Sequence, residues 1–258
     1  PQIGFDCSGG SSAVGEEMIF TLANIKGGSS KSTTAIHLAD ALSARGKVLI
    51  VDMDPQGSVT EFFFPGASAQ ELEKGNSFTL MQGASTLAES LHPGLFVDVV
   101  PSVLDLCTLG NLAARQPAKI LKRLRAALEG SDYAHVVIDT PGSLGAELTS
   151  SLVAADCVLI PVTPSVWTAK AVGLVLGEMQ EAQELAGRET KIAIVPTMFG
   201  KSKAHEEILS SLKGASMRIL SHIPRSATIQ KKTESGERIK AGSARQSFET
   251  LASEVTRL

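Results

Sequence analysis

The chain has 258 residues, of which 43% are hydrophobic and 20% charged, with a formal net charge of −3. At roughly 100–200 residues per domain this allows one large domain or two small ones around a continuous core. No apolar run approaches the roughly 18 residues of a spanning helix, and the overall charge does not mark a nucleic-acid binder. Cys7, Cys107 and Cys157 are too widely spaced for a disulfide framework or a CxxC metal site, which fits a reducing, cytosolic compartment. Aromatic residues make up only 4%, leaving no stacking platform for single-stranded nucleic acid.

Residues 1–17 are rich in Gly and Ser and have no period; they read as a disordered arm or a remnant left by cloning. From Met18 onward the pattern alternates strand and helix. Strands are predicted at 18–24, 47–54, 95–102, 135–140, 157–162, 191–197 and 217–223. Several are short, near-continuous apolar runs, as expected of parallel strands covered on both faces. Helices are predicted at 31–45, 117–129, 145–154, 168–186, 202–213 and 243–257. Residues 65–94 are the least periodic and read as short helices and loops. The alternation predicts an α/β fold, a doubly wound and mostly parallel sheet with helices on both faces, in one domain over 18–258.

The strongest signal is Asn24-Ile25-Lys26-Gly27-Gly28-Ser29-Ser30-Lys31-Ser32-Thr33-Thr34, where a strand ends and a helix begins. Gly27 and Gly28 allow backbone N–H groups to curl around an anion, and the helix starting near Lys31 points its positive end at the same place. Lys31 is placed to reach outer phosphates, and the Ser32 hydroxyl to bind Mg²⁺. Ile25 and Ser30 stand at the two glycine positions of GxxxxGK[ST], so the plain pattern fails. The segment instead resembles KGGxGKT, the deviant Walker A loop of the ParA/MinD superfamily. This resemblance implies a P-loop NTPase fold, ATP held by residues 26–33, including Ser29, Ser30 and Thr33, and a signature lysine, Lys26, that reaches the partner's ATP across a sandwich dimer. Glycine is usual at the Ser30 position. If φ is positive there, Ser adds about 1 kcal/mol of strain.

Val51-Asp52-Met53-Asp54-Pro55-Gln56-Gly57 resembles the family's DxDPQG signature. By that resemblance Asp54 orients or activates the attacking water and Asp52 supports the Mg²⁺ shell, chemistry suited to phosphoryl transfer. Val136-Val137-Ile138-Asp139 has the hhhhD form of a Walker B strand, so Asp139 is expected to hold a Mg²⁺-bound water. Gly142 departs from the family's DTPP in a segment expected to sense the γ-phosphate. Ile194–Phe199 and His222–Arg225 resemble base-binding strand ends, which makes Thr197, Met198 and Pro224 candidates for an adenine pocket.

Residues 213–258 hold nine basic residues against four acidic ones, the footprint of a non-specific DNA binder. Arg225, Lys231, Lys232 and Arg238 are the expected contacts. In the helix from Ser243 to Leu258, Phe248, Leu251, Val255 and Leu258 form an apolar stripe. It is expected to pack on the domain, since its polar face lacks the basic excess of a membrane-targeting helix. The resemblance covers about 18–258 and implies a short ParA/Soj-type partition ATPase. In this family ATP drives homodimerisation, the dimer binds double-stranded DNA without sequence preference on the nucleoid, and a ParB-like partner stimulates hydrolysis. The alternatives are a membrane-associated MinD- or FlhG-like positioning ATPase and a ParA-like positioner of a protein cargo.

Overall fold

The computed structural model describes residues 17–165, 167–199, 207–208, 210 and 217–258. The expected arm lies outside them but for Glu17, as does most of the helix expected at 202–213. The chain runs β1 (Met18–Leu22), α1 (Lys31–Leu42), β2 (Val48–Asp52), α2 (Ser58–Phe63), α3 (Ala69–Leu72), α4 (Ser77–Gln82), α5 (Leu87–Ser90), β3 (His92–Pro93) and β4 (Asp98–Val100). A 3-10 turn at Leu104–Thr108 leads to α6 (Leu109–Arg115), α7 (Pro117–Leu121), α8 (Arg123–Leu128), β5 (His135–Asp139), α9 (Ala146–Ala154), β6 (Cys157–Val162), α10 (Thr168–Ala186) and β7 (Lys191–Phe199). After β8 (Arg218–Ile219) and β9 (Ile223–Pro224), α11 (Ala227–Glu234) and α12 (Ser243–Val255) close the chain.

Among the described residues the strands form one sheet in the order β3-β4-β2-β5-β1-β6-β7-β8, with β9 also paired to β7. Every pairing is parallel except β3 with β4. Successive residues of β1 and β2 enter opposite cores. Phe20, Val48 and Ile50 face α1 and α12, and Ile19, Leu49 and Val51 face α4 and α6–α8. A third cluster joins α9 and α10 to β6 and β7. β1 lies between β5 and β6, where the chain switches from one half of the sheet to the other. In open α/β sheets ligands bind at that crevice, outside the carboxyl ends of the strands.

Three predicted elements differ. The strand expected at 95–102 shrinks to Asp98–Val100, because Gly94 N–H bonds the Val97 carbonyl in a turn and Pro101 has no N–H to donate. The helix expected at 117–129 is broken at Lys122 into α7 and α8. The strand expected at 217–223 splits into β8 and β9, both pairing with β7. The stripe of α12 packs on α1: Phe248, Leu251 and Val255 are buried and Leu258 is half-buried.

Candidate functional site

The loop after β1 is pinned to the sheet by Asn24. Its amide Nδ2 donates to the Pro161 carbonyl at 2.6 Å, and its Oδ1 accepts the Lys26 N–H at 2.9 Å. The loop then turns through left-handed residues at Gly28 (φ 71°) and Ser30 (φ 66°), so the position at which sequence raised a strain question does adopt positive φ. A Cβ on Gly27 or Gly28 would meet nothing within 4 Å, which leaves an open cradle of backbone. Lys31, buried at 8% exposure, opens α1 at the floor of this cradle. Burial pushes its ammonium pKa down, while Asp139 and Asp54 pull it up. The Ser29 and Ser30 hydroxyls are buried without a partner.

Parallel pairing brings the carboxylates to this edge. Asp52 sits in register with Asp139, and Asp139 with Leu22 of β1. The two buried acids differ in their bonding. Asp52 Oδ1 accepts the Asp54 N–H at 3.1 Å, and its Oδ2 accepts the Thr60 N–H and hydroxyl at 2.8 and 2.7 Å. Burial nevertheless raises its pKa to about 6. Neither Asp139 oxygen has a hydrogen-bond partner; the Ser32 hydroxyl lies beside it without closing a bond of ordinary geometry. Burial, and next the charge of Asp52, push Asp139 well above the usual carboxylate range, against the opposing pull of Ser32 and Lys31. An unpaired buried carboxylate of this kind calls for a cation. Asp54 stands at the rim, its Oδ1 accepting the Gln56 N–H at 2.9 Å.

No group of three or more His, Cys, Asp or Glu among the described residues could hold a metal alone. Mg²⁺ is normally held by one or two side chains together with phosphates and waters, and Ser32 with Asp139 offers that donor set. Both Asp52 oxygens accept bonds from the segment that follows, which fixes the turn that carries Asp54.

A cavity of about 260 Å³ opens beside the cradle, lined by Ser30, Thr33, Thr197, Met198, Pro224 and α11 among others. The three expected base-pocket residues therefore converge. Thr197 bonds the Val162 carbonyl at 3.0 Å, and Met198 is held at φ 60°. Ser30 and Met198 are the only non-glycine residues at positive φ among those described, and both line this cavity. Strained residues of this kind cluster at ligand sites.

Residues of α11 that the sequence pattern does not single out, Ile229, Gln230, Thr233 and Glu234, form one wall. The available signal was Ser226, which caps the helix by accepting the Ile229 N–H at 3.4 Å. The expected DNA contacts divide. Arg225 lines the cavity. Lys231 is exposed on the far side of α11, and Lys232 pairs with Glu237. Arg238 is bound to the buried Asp40 at 2.5 Å and lies over the Phe96 ring.

A family model described as an AAA domain matches residues 17–194. The chain is 34% identical over 195 residues to the chromosome-partitioning ATPase Soj of Thermus thermophilus, covering 74% of each chain. It superposes on a putative plasmid partition protein of Borrelia burgdorferi bound to AMPPNP with a TM-score of 0.81 at 26% identity, covering 94% of this chain and 100% of that one. The ATP complex of a Cyanothece McdA variant shares the fold, with a TM-score of 0.84 at 21% identity and coverage of 95% and 98%. With this loop, these strand-end carboxylates and these relatives, the chain belongs to the ParA/MinD family of P-loop ATPases.

Proposed function

We propose that the chain is an ATP-hydrolysing partition protein whose ATP-bound dimer binds DNA without sequence preference and is released when a ParB-like partner stimulates hydrolysis. The observation that carries this reading is the join of an open glycine cradle, a buried lysine and an unpaired buried aspartate at the carboxyl edge of the sheet. In it, Gly27–Thr33 wrap the phosphates, Lys31 neutralises their charge, and Thr197, Met198 and Pro224 receive the base. Ser32 and Asp139 hold Mg²⁺, which neutralises charge on the transferred phosphoryl group. Asp54 takes up and orients the attacking water at the rim. Lys26 has no side-chain partner among the described residues and stands half-buried at the loop's mouth, as suits a group that serves a second subunit.

The DNA grip falls on Lys231 and Lys232, one exposed and the other held only by a surface ion pair, which exchanges readily for a phosphate. Committing the apolar stripe of α12 to the core argues against a membrane-targeting helix there. The test is DNA co-sedimentation across a salt series, with and without ATP, for wild type, Lys31→Ala and the double variant Lys231→Ala/Lys232→Ala. Wild type should need ATP, Lys31→Ala should bind neither nucleotide nor DNA, and the double variant should lose affinity for all sequences with a shallower salt slope. Tight, ATP-independent binding by the double variant overturns the reading.

A further inference from the structure

Between Asp105 and Glu129 the chain carries Arg115, Lys119, Lys122, Arg123 and Arg125 and no acidic residue. Arg125 is engaged by Asp156 at 2.7 Å. The other four make no ion pair among the described residues. Three of them, Lys119, Lys122 and Arg123, edge a groove of about 530 Å³ between α4–α5 and α7–α8. Its floor is apolar, made by Leu80, Leu87, Ala126 and Ala127. Leu80 and Leu87 belong to the core on the sheet face away from α1 and α12, so the groove lies apart from the nucleotide cavity. The Arg123 guanidinium occupies the space that a side chain on Gly83 would fill: a Cβ there would lie 1.7 Å from its Nη1. Arg123 Nε is buried and has no hydrogen-bond partner. A cation held in this way bears a desolvation cost that an anionic group would offset.

We propose that this groove docks an acidic amphipathic segment of a partner protein, its apolar side chains set on the leucine and alanine floor and its carboxylates on Lys119, Lys122 and Arg123. An amphipathic helix laid into an apolar groove is a recurring mode of recognition, and the unpaired cations fix the sign of the residues that flank its apolar face. Ala126 is exposed and Ala127 half-buried; their small side chains let a partner's backbone come close. The recess argues against two other occupants. DNA would place phosphates on the rim and leave the apolar floor uncovered. A membrane takes up large apolar side chains that stand above the surface. The large hydrophobic residues exposed among those described, such as Leu95, Leu104 and Trp167, all lie outside this groove. The inference is independent of the nucleotide reading, since no residue of the cradle or its cavity takes part.

The experiment selects short random peptides displayed on phage against the immobilised full chain, then measures the enriched peptides on the purified protein by fluorescence anisotropy. Enriched sequences should set acidic residues beside apolar ones at helical spacing, and their affinity should fall as salt rises. Lys119→Glu/Lys122→Glu should weaken their binding roughly tenfold or more. Ala126→Arg, which fills the groove and keeps its charge positive, should weaken it by as much. That arm separates docking in the groove from attraction to its rim, and it decides the matter if the double variant does not fold, as judged by circular dichroism. The proposal is overturned if no acidic amphipathic peptide is enriched, or if the enriched peptides bind Ala126→Arg or a folded double variant as tightly as wild type. It is also overturned if the double variant instead loses co-sedimentation with phosphatidylglycerol vesicles or with duplex DNA, or if Ala126→Arg breaks a dimer that wild type forms without nucleotide, since the groove then belongs to a membrane, to nucleic acid or to a second copy of the chain.

Discussion

Replacing Asp40 with Asn tests whether the P-loop helix is tied to the C-terminal segment as the structure shows. The Asp40 side chain is 1% exposed; one oxygen accepts Arg245 Nη1 and the other forms an ion pair with Arg238 Nε, each at 2.5 Å. Burial pushes its pKa up and the two guanidinium groups push it back. Removing one partner of a fully buried ion pair costs about 3–5 kcal/mol. Here the cost is smaller, because Arg238 is 39% exposed and can turn to water, and Arg245 keeps Glu249 at 2.8 Å. About 2–3 kcal/mol remains, which for a chain of this size lowers Tm by roughly 4–12 °C. Thermal and urea unfolding followed by circular dichroism measure it, and an unchanged m-value shows that the denatured state is the same. Nucleotide affinity should stay near wild type, since Asp40 lies nine residues along α1 from Lys31, about 14 Å at the helical rise. Arg238→Ala should cost less than Asp40→Asn and leave DNA affinity unchanged, because that guanidinium is already engaged. A Tm for Asp40→Asn within about 1 °C of wild type, or a DNA defect in Arg238→Ala as large as in the double lysine variant, would refute this reasoning.

Three further outcomes are expected. Asp54→Ala should bind ATP within a few-fold of wild type but lose roughly 10²–10⁴ in kcat in a phosphate-release assay; near-normal turnover removes Asp54 from the water-positioning role. Ser30→Gly relieves a left-handed serine and removes a buried hydroxyl without a partner. After the added freedom of the unfolded chain is subtracted it should stabilise by about 1 kcal/mol, and a lower melting temperature would contradict the strain. His37 is 1% exposed, and burial, then Arg245, depress its pKa to about 4. Between pH 6.5 and 4 the unfolded chain therefore binds a proton that the folded chain refuses, so stability falls as pH falls, by about 3 kcal/mol over the window. Asp40, whose pKa burial raises, works in the opposite sense at the lower end. His37→Gln, which keeps a donor for Thr233, should flatten the curve from pH 6.5 to 4, and an equally steep curve would show that another group governs it.

The phosphate cradle is legible in the sequence because it is local: one strand, one turn and one helix start carry all of it. The α/β alternation is legible for the same reason, since covered parallel strands such as Cys157–Val162 are apolar throughout. Three short helices at 69–90 escape the periodicity because they are too brief to show one. Their capping signals are nonetheless present, Ser68 with Glu71, Asn76 with Thr79 and Thr86 with Glu89, each an oxygen paired with a residue three positions on. The Asp40 clamp is not legible, because its arginines lie some 200 positions away and nothing local marks them. The cavity wall on α11 is hidden differently. Gln230, Lys231, Lys232, Thr233 and Glu234 form a polar run, and its charge draws notice to the lysines while Gln230, Thr233 and Glu234 line the cavity.

Ten of the twelve residues of α1 are buried, from Lys31 through Leu42, so this helix has no solvent face. The sheet covers one side of it and α12 the other, and His37 is in contact with the rings of Phe62 and Phe248. A helix so enclosed cannot tilt or slide without opening the core, so it is a fixed axis about which the rest of the site must work. Any response to nucleotide must come from the loops that meet its first turn, at 25–30, 54–57 and 140–145. Slowly exchanging amides should therefore run along α1 almost to the cradle, where protection should drop within a residue or two from that of global unfolding to that of a surface turn.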